Sequence, residues 1–187
     1  MKIGIVRHFR VNQPLPKGFL INYEKVVGWF AAYDLAEISY NEIELKENWE
    51  VCYSSPSSRA LKTAERIYKG TIIQREQLKE LDVLPLLNKS YRRPLLFWAL
   101  LIRKRSMTPN AITNEFIIKL NAFVDELLAS GQQDVLVVSH GFVMMLLQKE
   151  LVKRGFTGDK FKTPVNGKLY IFEKESNSRE DLSTDKK

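Results

Sequence analysis

Short apolar runs alternate along the chain with longer segments in which apolar residues recur at helical spacing. Five runs have the length and composition of buried strands, and they cover Lys2–Val6, Glu50–Tyr53, Thr71–Gln74, Val135–Ser139 and Lys168–Phe172. Helical periodicity covers Tyr23–Ile38, Ser57–Tyr68, Pro109–Ser130 and Gly141–Lys153. Strands that alternate with helices predict an α/β fold, a three-layer α/β/α sandwich whose mainly parallel sheet is covered on both faces.

The length of the chain predicts a single domain. Domains usually contain roughly 100–200 residues, and this chain has 187. We assign residues 1–173 to the domain. The tail, residues 174–187, has no apolar residue except Leu182, and it is predicted to be disordered because it could bury too little apolar surface to fold.

Several features predict a cytoplasmic protein without a transmembrane segment. The longest apolar run, Leu95–Ile102, is far shorter than the roughly 20 residues that span a bilayer. No signal peptide is recognised, because Arg7 interrupts the first apolar run. Cys52 is the only cysteine, so an internal disulfide is excluded, and its apolar surroundings predict a buried, inert thiol.

The charge of the chain favours anionic partners. The net charge is +7, and the segment from Glu173 to Lys187 has four basic and five acidic residues, so the rest of the chain carries +8. A protein with this positive charge is attracted to phosphates, nucleic acids and anionic membrane surfaces. No recognised nucleic-acid-binding motif accompanies the charge, and we therefore predict no nucleic-acid partner.

The two histidines of the chain both follow predicted strands. His8 comes after the first strand, and His140 comes after the apolar run "DVLVVS". If these strands are parallel neighbours, the two imidazoles converge at one edge of the sheet, where open α/β sheets bind their ligands. Arg59 lies in the first turn of the helix after "EVCYSSPSS". A helix N-terminus favours anions, and an arginine there adds a bidentate donor for phosphate, although a solvated helix cation is the alternative.

Four segments, "VRHFR", "SSPSSRALKTAE", "LKEL" and "VVSHG", resemble the signature segments of the histidine phosphatase superfamily, also called the phosphoglycerate-mutase-like fold. The resemblance implies a phosphoglycerate-mutase-like sandwich. It also implies that His8 is the nucleophile, that Arg7 and Arg59 bind the phosphate, and that His140 is a second catalytic and phosphate-binding histidine. It implies no metal and no cofactor.

The same resemblance implies a carboxylic acid after the third strand. Leu78-Lys79-Glu80 matches the family's L-x-E pattern, and Asp82 is a nearby alternative. In the implied chemistry, the neutral imidazole of His8 attacks the phosphorus of a monoester and forms a phosphohistidine. Glu80 would protonate the leaving alkoxide and then activate the water that hydrolyses the intermediate.

The first motif departs from the family pattern at two positions. Phe9 stands where the family usually has glycine, and Val11 stands where a small hydroxyl residue is usual. The ring of Phe9 must lie either beside the phosphate or in the core. We expect Arg10 to replace part of the lost phosphate contact.

The segment 83–114 is the least similar to the family. It has no acidic residue, and two basic clusters flank the apolar stretch "PLLFWALLI". Three interpretations remain open: a lid over the substrate, a packed core helix, or a helix that contacts an anionic membrane surface.

The function favoured by these observations is a metal-independent phosphatase that hydrolyses phosphate monoesters. Its substrate would be a phosphorylated small molecule or a phosphoprotein. The first alternative is phosphoryl transfer of the phosphoglycerate mutase type, which uses the same residues. The second is a non-catalytic phosphate-binding or interaction module, for which Phe9 is the best support. The sequence specifies neither the natural substrate nor the oligomeric state.

Overall fold

A computed structural model describes residues 1–40, 42–43, 45 and 48–175. The strands are β1 (Lys2–Arg7), β2 (Arg10–Val11), β3 (Ile21–Asn22), β4 (Ile38–Ser39), β5 (Val51–Ser54), β6 (Ile72–Gln74), β7 (Arg92–Arg93), β8 (Asp134–Ser139), β9 (Thr157–Gly158) and β10 (Leu169–Glu173). The α-helices are α1 (Tyr23–Leu35), α2 (Ser58–Ile67), α3 (Leu95–Met107), α4 (Ala111–Ala129) and α5 (Gly141–Lys153). Short 3₁₀ helices cover Glu76–Leu78 and Leu84–Leu86. Residues 176–187 of the predicted tail lie outside the described part.

The central sheet has six strands in the order β6-β5-β8-β1-β10-β9. Strands β6, β5, β8 and β1 are parallel, whereas β10 is antiparallel to both β1 and β9. The inner strands β1 and β8 are buried over most of their length, which explains why they are continuous apolar runs in the sequence. Their register pairs Arg7 with Ser139, so the residues that follow each strand emerge side by side.

Helices cover both faces of the sheet. On one face, Ile3 and Ile5 pack in a cluster with Phe123 of α4 and Leu147 of α5. On the other face, Val6 belongs to a cluster that includes residues of α2. Because side chains alternate along β1, this strand contributes residues to the hydrophobic cores on both faces of the sheet. The predicted α/β sandwich with a mainly parallel sheet is confirmed.

Helix α1 is shorter than its periodicity predicts. The helix begins after Asn22, whose side chain accepts a hydrogen bond from the amide of Lys25, and it ends at Leu35 rather than at Ile38. Ile38 instead belongs to β4, which pairs with β2, and its side chain is buried in a cluster with Phe9. Pairing with a strand distant in the sequence outweighs helical propensity at this position.

Segment 83–107 packs against the first part of the chain. Trp98 of α3 is buried, and its indole Nε1 donates a hydrogen bond to the carbonyl of Ile21, at 2.8 Å. Trp98 shares a cluster with Val26 of α1 and with Leu87. The short strand β7 also pairs with β3. The packed-core interpretation of this segment therefore holds for the side of α3 that carries Trp98.

Two further expectations concern single features. The Cys52 thiol is buried, and burial raises its pKa to about 12. Since the reactive form is the thiolate, Cys52 is inert, as the sequence predicted. None of the helices in the described part of the chain has both the length and the apolar character that crossing a membrane requires.

Candidate active site

The two histidines meet at the carboxyl edge of the sheet. Because β1 and β8 are parallel neighbours with Arg7 opposite Ser139, His8 and His140 follow at the same level. Their rings lie edge to face, with centroids 5.2 Å apart and an angle of 61° between the planes. Both residues are buried. The convergence that the sequence predicted is thus a direct consequence of strand order.

The His8 ring is held as one neutral tautomer. Its Nδ1 lies 2.6 Å from the carbonyl oxygen of Phe9. A carbonyl only accepts hydrogen bonds, so we assign the proton to Nδ1, which leaves the lone pair on Nε2. Burial lowers the pKa of His8 to about 3; the Phe9 hydrogen bond opposes this, and the charges of Arg59 and Arg7 add to it. The ring is therefore an uncharged base with a free lone pair at neutral pH.

Two residues distant in sequence fix the backbone around His8. Asn166 donates a hydrogen bond from Nδ2 to the carbonyl of His8, at 2.8 Å. Thr63 of α2 accepts one at Oγ1 from the amide of Phe9, at 3.0 Å, and donates one to the carbonyl of Arg59, at 2.7 Å. Thr63 therefore ties the first motif to the helix that carries Arg59.

The ring of Phe9 lies in the core and not beside the imidazoles. It is fully buried in a cluster with Val11 and Ile38, and it contacts Tyr40 edge to face at 5.9 Å. Of the two positions that the sequence left open, the fold adopts the one that keeps the ring away from His8 Nε2.

Arg59 is the second residue of α2 and is nearly buried, with 8% of its surface exposed. Its Nη1 forms an ion pair with Asp34 of α1, and its guanidinium lies 5.2 Å from the centre of the Tyr33 ring. Two residues of helix α1 therefore hold the guanidinium of Arg59 in place. The Nε of Arg59 is buried without a hydrogen-bond partner.

Arg7, the last residue of β1, lies against the start of α5. Its Nη1 donates a hydrogen bond to the carbonyl of Pro164, at 2.9 Å, and its Nε is buried without a partner. A Cβ on Gly141 would lie 3.3 Å from Cζ of Arg7, which is tighter than ordinary packing allows. Glycine at this position lets the guanidinium approach the N-terminus of the helix.

His140 precedes the first residue of α5 and is completely buried. Its Nε2 lies 2.8 Å from Oγ of Ser55, whereas its Nδ1 is buried without a partner. Burial lowers its pKa well below the ordinary value, and the charges of Arg59 and Arg7, together with repulsion from His8 when that ring is protonated, act in the same direction. A second neutral imidazole therefore stands beside the first.

Of the two candidate acids, Glu80 is the one whose carboxyl group is withdrawn from solvent close to the arginines. Burial raises its pKa to about 7, although Arg59 and Arg7 act to lower it. Its Oε1 is buried and has no hydrogen-bond partner. Asp82 is exposed, and its Oδ1 accepts a hydrogen bond from the amide of Leu84, at 3.0 Å. A carboxyl group that is half protonated near neutral pH suits general acid–base chemistry.

The fold brings most of the predicted site residues together. Four side chains have buried polar atoms without partners at this edge of the sheet: Arg7 Nε, Arg59 Nε, His140 Nδ1 and Glu80 Oε1. Two fixed positive charges and two neutral imidazoles form a setting that suits a phosphate dianion. Arg10 is different, because it is exposed on β2, and its proposed contact with phosphate stays a prediction.

Glu80 also borders a groove of about 430 Å³ between the Glu76–Leu78 turn and α4. Phe116 and Leu81 give the groove apolar surface, and its charged lining contains Lys79 and Lys119 as well as the carboxylates of Glu76 and Asp82. The groove is thus large enough for a small organic group attached to a phosphate.

Sequence reasoning missed the residues that orient the site. These are Tyr33, Asp34, Ser55, Thr63 and Asn166. Ser55 and Thr63 lie within the segment "SSPSSRALKTAE", which resembles the family. That resemblance could have indicated that these two residues belong to the site. Nothing in the sequence pattern distinguishes Asp34 or Asn166 from other surface residues. Within residues 1–40, 42–43, 45 and 48–175, no three His, Cys, Asp or Glu side chains group in a way that could hold a metal ion.

Two solved structures have similar folds. Both are phosphoserine phosphatase from Entamoeba histolytica, one a mutant in complex with phosphoserine and the other in complex with 3-phosphoglyceric acid. Each is 19% identical to this chain and aligns with 91% of it and 89% of the other chain, with TM-scores of 0.53 and 0.51. At this identity the likeness concerns the fold. A comparison with curated proteins gave no match.

The sequence model described as the histidine phosphatase superfamily (branch 1) matches residues 42–180. This range contains Arg59, Glu80 and His140, and it begins after both Arg7, the last residue of β1, and His8, which follows that strand. The superfamily includes phosphatases and mutases, so membership indicates phosphoryl-transfer chemistry in general. The match takes in well over half of the chain, and it confirms the resemblance seen in the signature segments: the chain belongs to the histidine phosphatase superfamily (branch 1).

Proposed function

We propose that the protein is a phosphatase that hydrolyses phosphate monoesters through a phosphohistidine on Nε2 of His8. The observation that carries the proposal is the hydrogen bond between His8 Nδ1 and the carbonyl of Phe9. It keeps the ring in the tautomer whose Nε2 lone pair is free, while Arg7 and Arg59 supply positive charge beside it. A nucleophile next to such charge meets less repulsion from the phosphoryl oxygens.

In the first step, Nε2 of His8 attacks phosphorus, and the bond from phosphorus to the leaving oxygen breaks. The leaving alkoxide takes the proton of the Glu80 carboxyl group. The ring then carries a positive charge, which the Phe9 carbonyl stabilises through Nδ1–H. The two arginines and His140 hold the phosphoryl oxygens during the transfer.

In the second step, water attacks phosphorus and gives a proton to the Glu80 carboxylate. The bond between phosphorus and Nε2 breaks, and the neutral imidazole and inorganic phosphate are released. Glu80 thus alternates between acid and base, for which a pKa of about 7 is suitable. No step uses a metal ion or a cofactor, so activity is predicted to survive a chelator.

The substrate's organic group is proposed to occupy the groove beside Glu80, because the acid must reach the leaving oxygen. The volume of the groove, about 430 Å³, favours a phosphorylated small molecule, and a phosphoprotein remains the other candidate. Phosphoserine and 3-phosphoglycerate, which the two similar structures contain, are the first compounds to examine.

The alternatives predict different products. A mutase would move the phosphoryl group between acceptors, whereas a phosphatase releases inorganic phosphate. A non-catalytic module would do neither, and its main support is weakened because the ring of Phe9 lies in the core cluster.

The test is release of inorganic phosphate from an aryl phosphate and from a panel of phosphometabolites and phosphopeptides, with EDTA present throughout. We expect turnover that EDTA does not change. Transfer to an added acceptor without net release would favour the mutase, and the absence of both reactions would reject the proposal. Loss of activity with EDTA would reject the metal-independent mechanism.

A further inference from the structure

Helix α3 has two apolar sides, of which only one is packed. Trp98 is 1% exposed and anchors the inner side. On the outer side, Leu96, Leu100 and Met107 are 69%, 59% and 54% exposed. Residues at this spacing share one side of a helix. A 13-residue helix therefore presents a stripe of aliphatic side chains about 20 Å long to the surroundings.

A second segment adds apolar surface at the start of α3. Strands β3 and β7 are antiparallel, with Ile21 opposite Arg93, so the residues before Ile21 and those after Arg93 continue past the same end of the pair. Phe19 and Leu20 precede Ile21, and they are 83% and 42% exposed. An exposed phenylalanine next to an exposed aliphatic helix is unusual for a surface that meets only water.

Exposed cations surround this apolar surface. They are Lys17, Arg92, Arg93, Arg103, Lys104 and Arg105. The chain has no Asp or Glu in residues 1–23 or 83–114, so these segments contain no carboxylate that could pair with them. We call the exposed residues of 17–20 and 92–107 the α3 face. It combines hydrophobic and positively charged groups and lacks negative charge.

We infer that the α3 face docks onto the surface of an anionic lipid bilayer. Leu96, Leu100 and Phe19 would enter the boundary between headgroups and acyl chains, and Arg103 and Lys104 would contact the headgroup phosphates. Both kinds of side chain are required, because a single short apolar stripe binds weakly and a basic patch alone is reversed by salt.

Charge complementarity favours this occupant over others. A second copy of the chain would bring the same cations against one another, and the segments that form the face contain no carboxylate to neutralise them. A nucleic acid would neutralise the cations but leave the exposed aliphatic stripe without a partner. An anionic bilayer can contact both the apolar side chains and the cations of the face. The inference is independent of the proposed phosphatase activity, because no residue of the face belongs to the candidate active site.

The test is co-sedimentation of the full chain with vesicles of phosphatidylcholine alone and of equal parts phosphatidylcholine and phosphatidylserine. We expect binding to the mixed vesicles only, and weaker binding as salt is raised. Arg103→Gln combined with Lys104→Gln should reduce the partition coefficient about fivefold per charge, roughly 25-fold in all. Leu96→Ser combined with Leu100→Ser should reduce it on the order of tenfold.

Matched variants elsewhere on the surface serve as controls. Lys160→Gln with Lys162→Gln removes the same charge from exposed positions outside the face, and Leu35→Ser with Ile118→Ser removes exposed apolar side chains from α1 and α4. The controls should bind like the unaltered chain, and all variants should keep its thermal unfolding profile and its activity on soluble substrates.

Four results would overturn the inference. The first is no binding to the mixed vesicles, and the second is equal losses in face and control variants. The third is a change of KM for a soluble substrate in the face variants, which would indicate a lid. The fourth is a dimer in sedimentation analysis that Leu96→Ser with Leu100→Ser dissociates, because the face would then be occupied by a second copy.

Discussion

Asp34 of α1 forms an ion pair with Nη1 of Arg59 at the start of α2. The two residues come from different helices, and the guanidinium is also packed against the ring of Tyr33. An arginine held from one side retains fewer conformations, so less entropy is lost when it binds a phosphate. Asp34 is therefore expected to position Arg59.

Replacement of Asp34 should test this role. Asp34→Ala is expected to raise KM about three- to tenfold, because Arg59 loses its orienting partner, and Asp34→Asn should restore much of the loss through its amide oxygen. Steady-state kinetics on one soluble substrate give the measurement. Glu37→Gln is the control, since Glu37, two residues after the end of α1, pairs with Lys62 of α2. A lower KM in Asp34→Ala would mean that the carboxylate opposes phosphate binding.

The nucleophile is tested by His8→Ala. The variant should lose activity by several orders of magnitude while it stays folded, because no other side chain offers a lone pair in the same position. Rapid quenching of the unaltered enzyme with labelled substrate should trap acid-labile phosphate on His8. Lys160→Ala, at an exposed position to which no role in the site is assigned, is the comparison. Turnover near normal in His8→Ala would exclude His8 as the nucleophile.

The acid is tested by the pH dependence of kcat/KM. Glu80 must be protonated in the free enzyme, so kcat/KM for an alkyl phosphate should fall as the pH rises through about 7. Glu80→Gln should abolish this limb and slow the reaction roughly 10²–10⁴-fold. The hydrolysis of aryl phosphates should be slowed less by this substitution, because their leaving groups need less protonation. If Asp82→Asn loses activity and Glu80→Gln does not, Asp82 is the acid.

The same carboxyl group should make stability depend on pH. Its pKa in the folded protein, about 7, is above the ordinary value of 4.5, so folding favours the protonated form. The contribution of Glu80 to the free energy of unfolding should therefore fall between about pH 4.5 and 7, so Glu80→Gln should gain up to about 3 kcal/mol relative to the unaltered protein across that range. The lowered pKa values of His8 and His140 act on total stability in the opposite direction, but they are common to both proteins and cancel in this difference. Urea unfolding of both proteins at about pH 5 and about pH 8 measures this difference. Glu76→Gln, at an exposed position, should show none. A stability difference between Glu80→Gln and the unaltered protein that is the same at both pH values would contradict a raised pKa.

Phe9→Ala separates packing from chemistry. Its ring is fully buried with Val11 and Ile38, so the variant should lose about 3–5 kcal/mol of stability. Its backbone hydrogen bonds to Thr63 and His8 do not depend on the ring, and kcat should change little at temperatures where the variant is folded. Urea unfolding and initial rates provide the two measurements. A large change in kcat with unchanged stability would place the ring in the substrate pocket.

Much of the architecture could be predicted because it depends on local patterns. The buried strands β1 and β8 are continuous apolar runs, and the helices that follow have regular apolar spacing, so their existence and order were evident. Both histidines follow such strands directly, which placed them at the same edge of the sheet once the strands were taken as parallel. The end of α1 could not be predicted in this way, since Ile38 leaves the helix only to pair with β2.

The sequence by itself determined which residues could act in the site; the tertiary structure decided how they act. The tautomer of His8, the burial of Glu80 rather than Asp82, and the core position of Phe9 each depend on atoms that distant segments bring close. The same holds for Asp34, whose role exists only because α1 packs beside α2. Hydrophobic periodicity is a property of neighbours in sequence, whereas pKa shifts and hydrogen-bond partners are properties of neighbours in space.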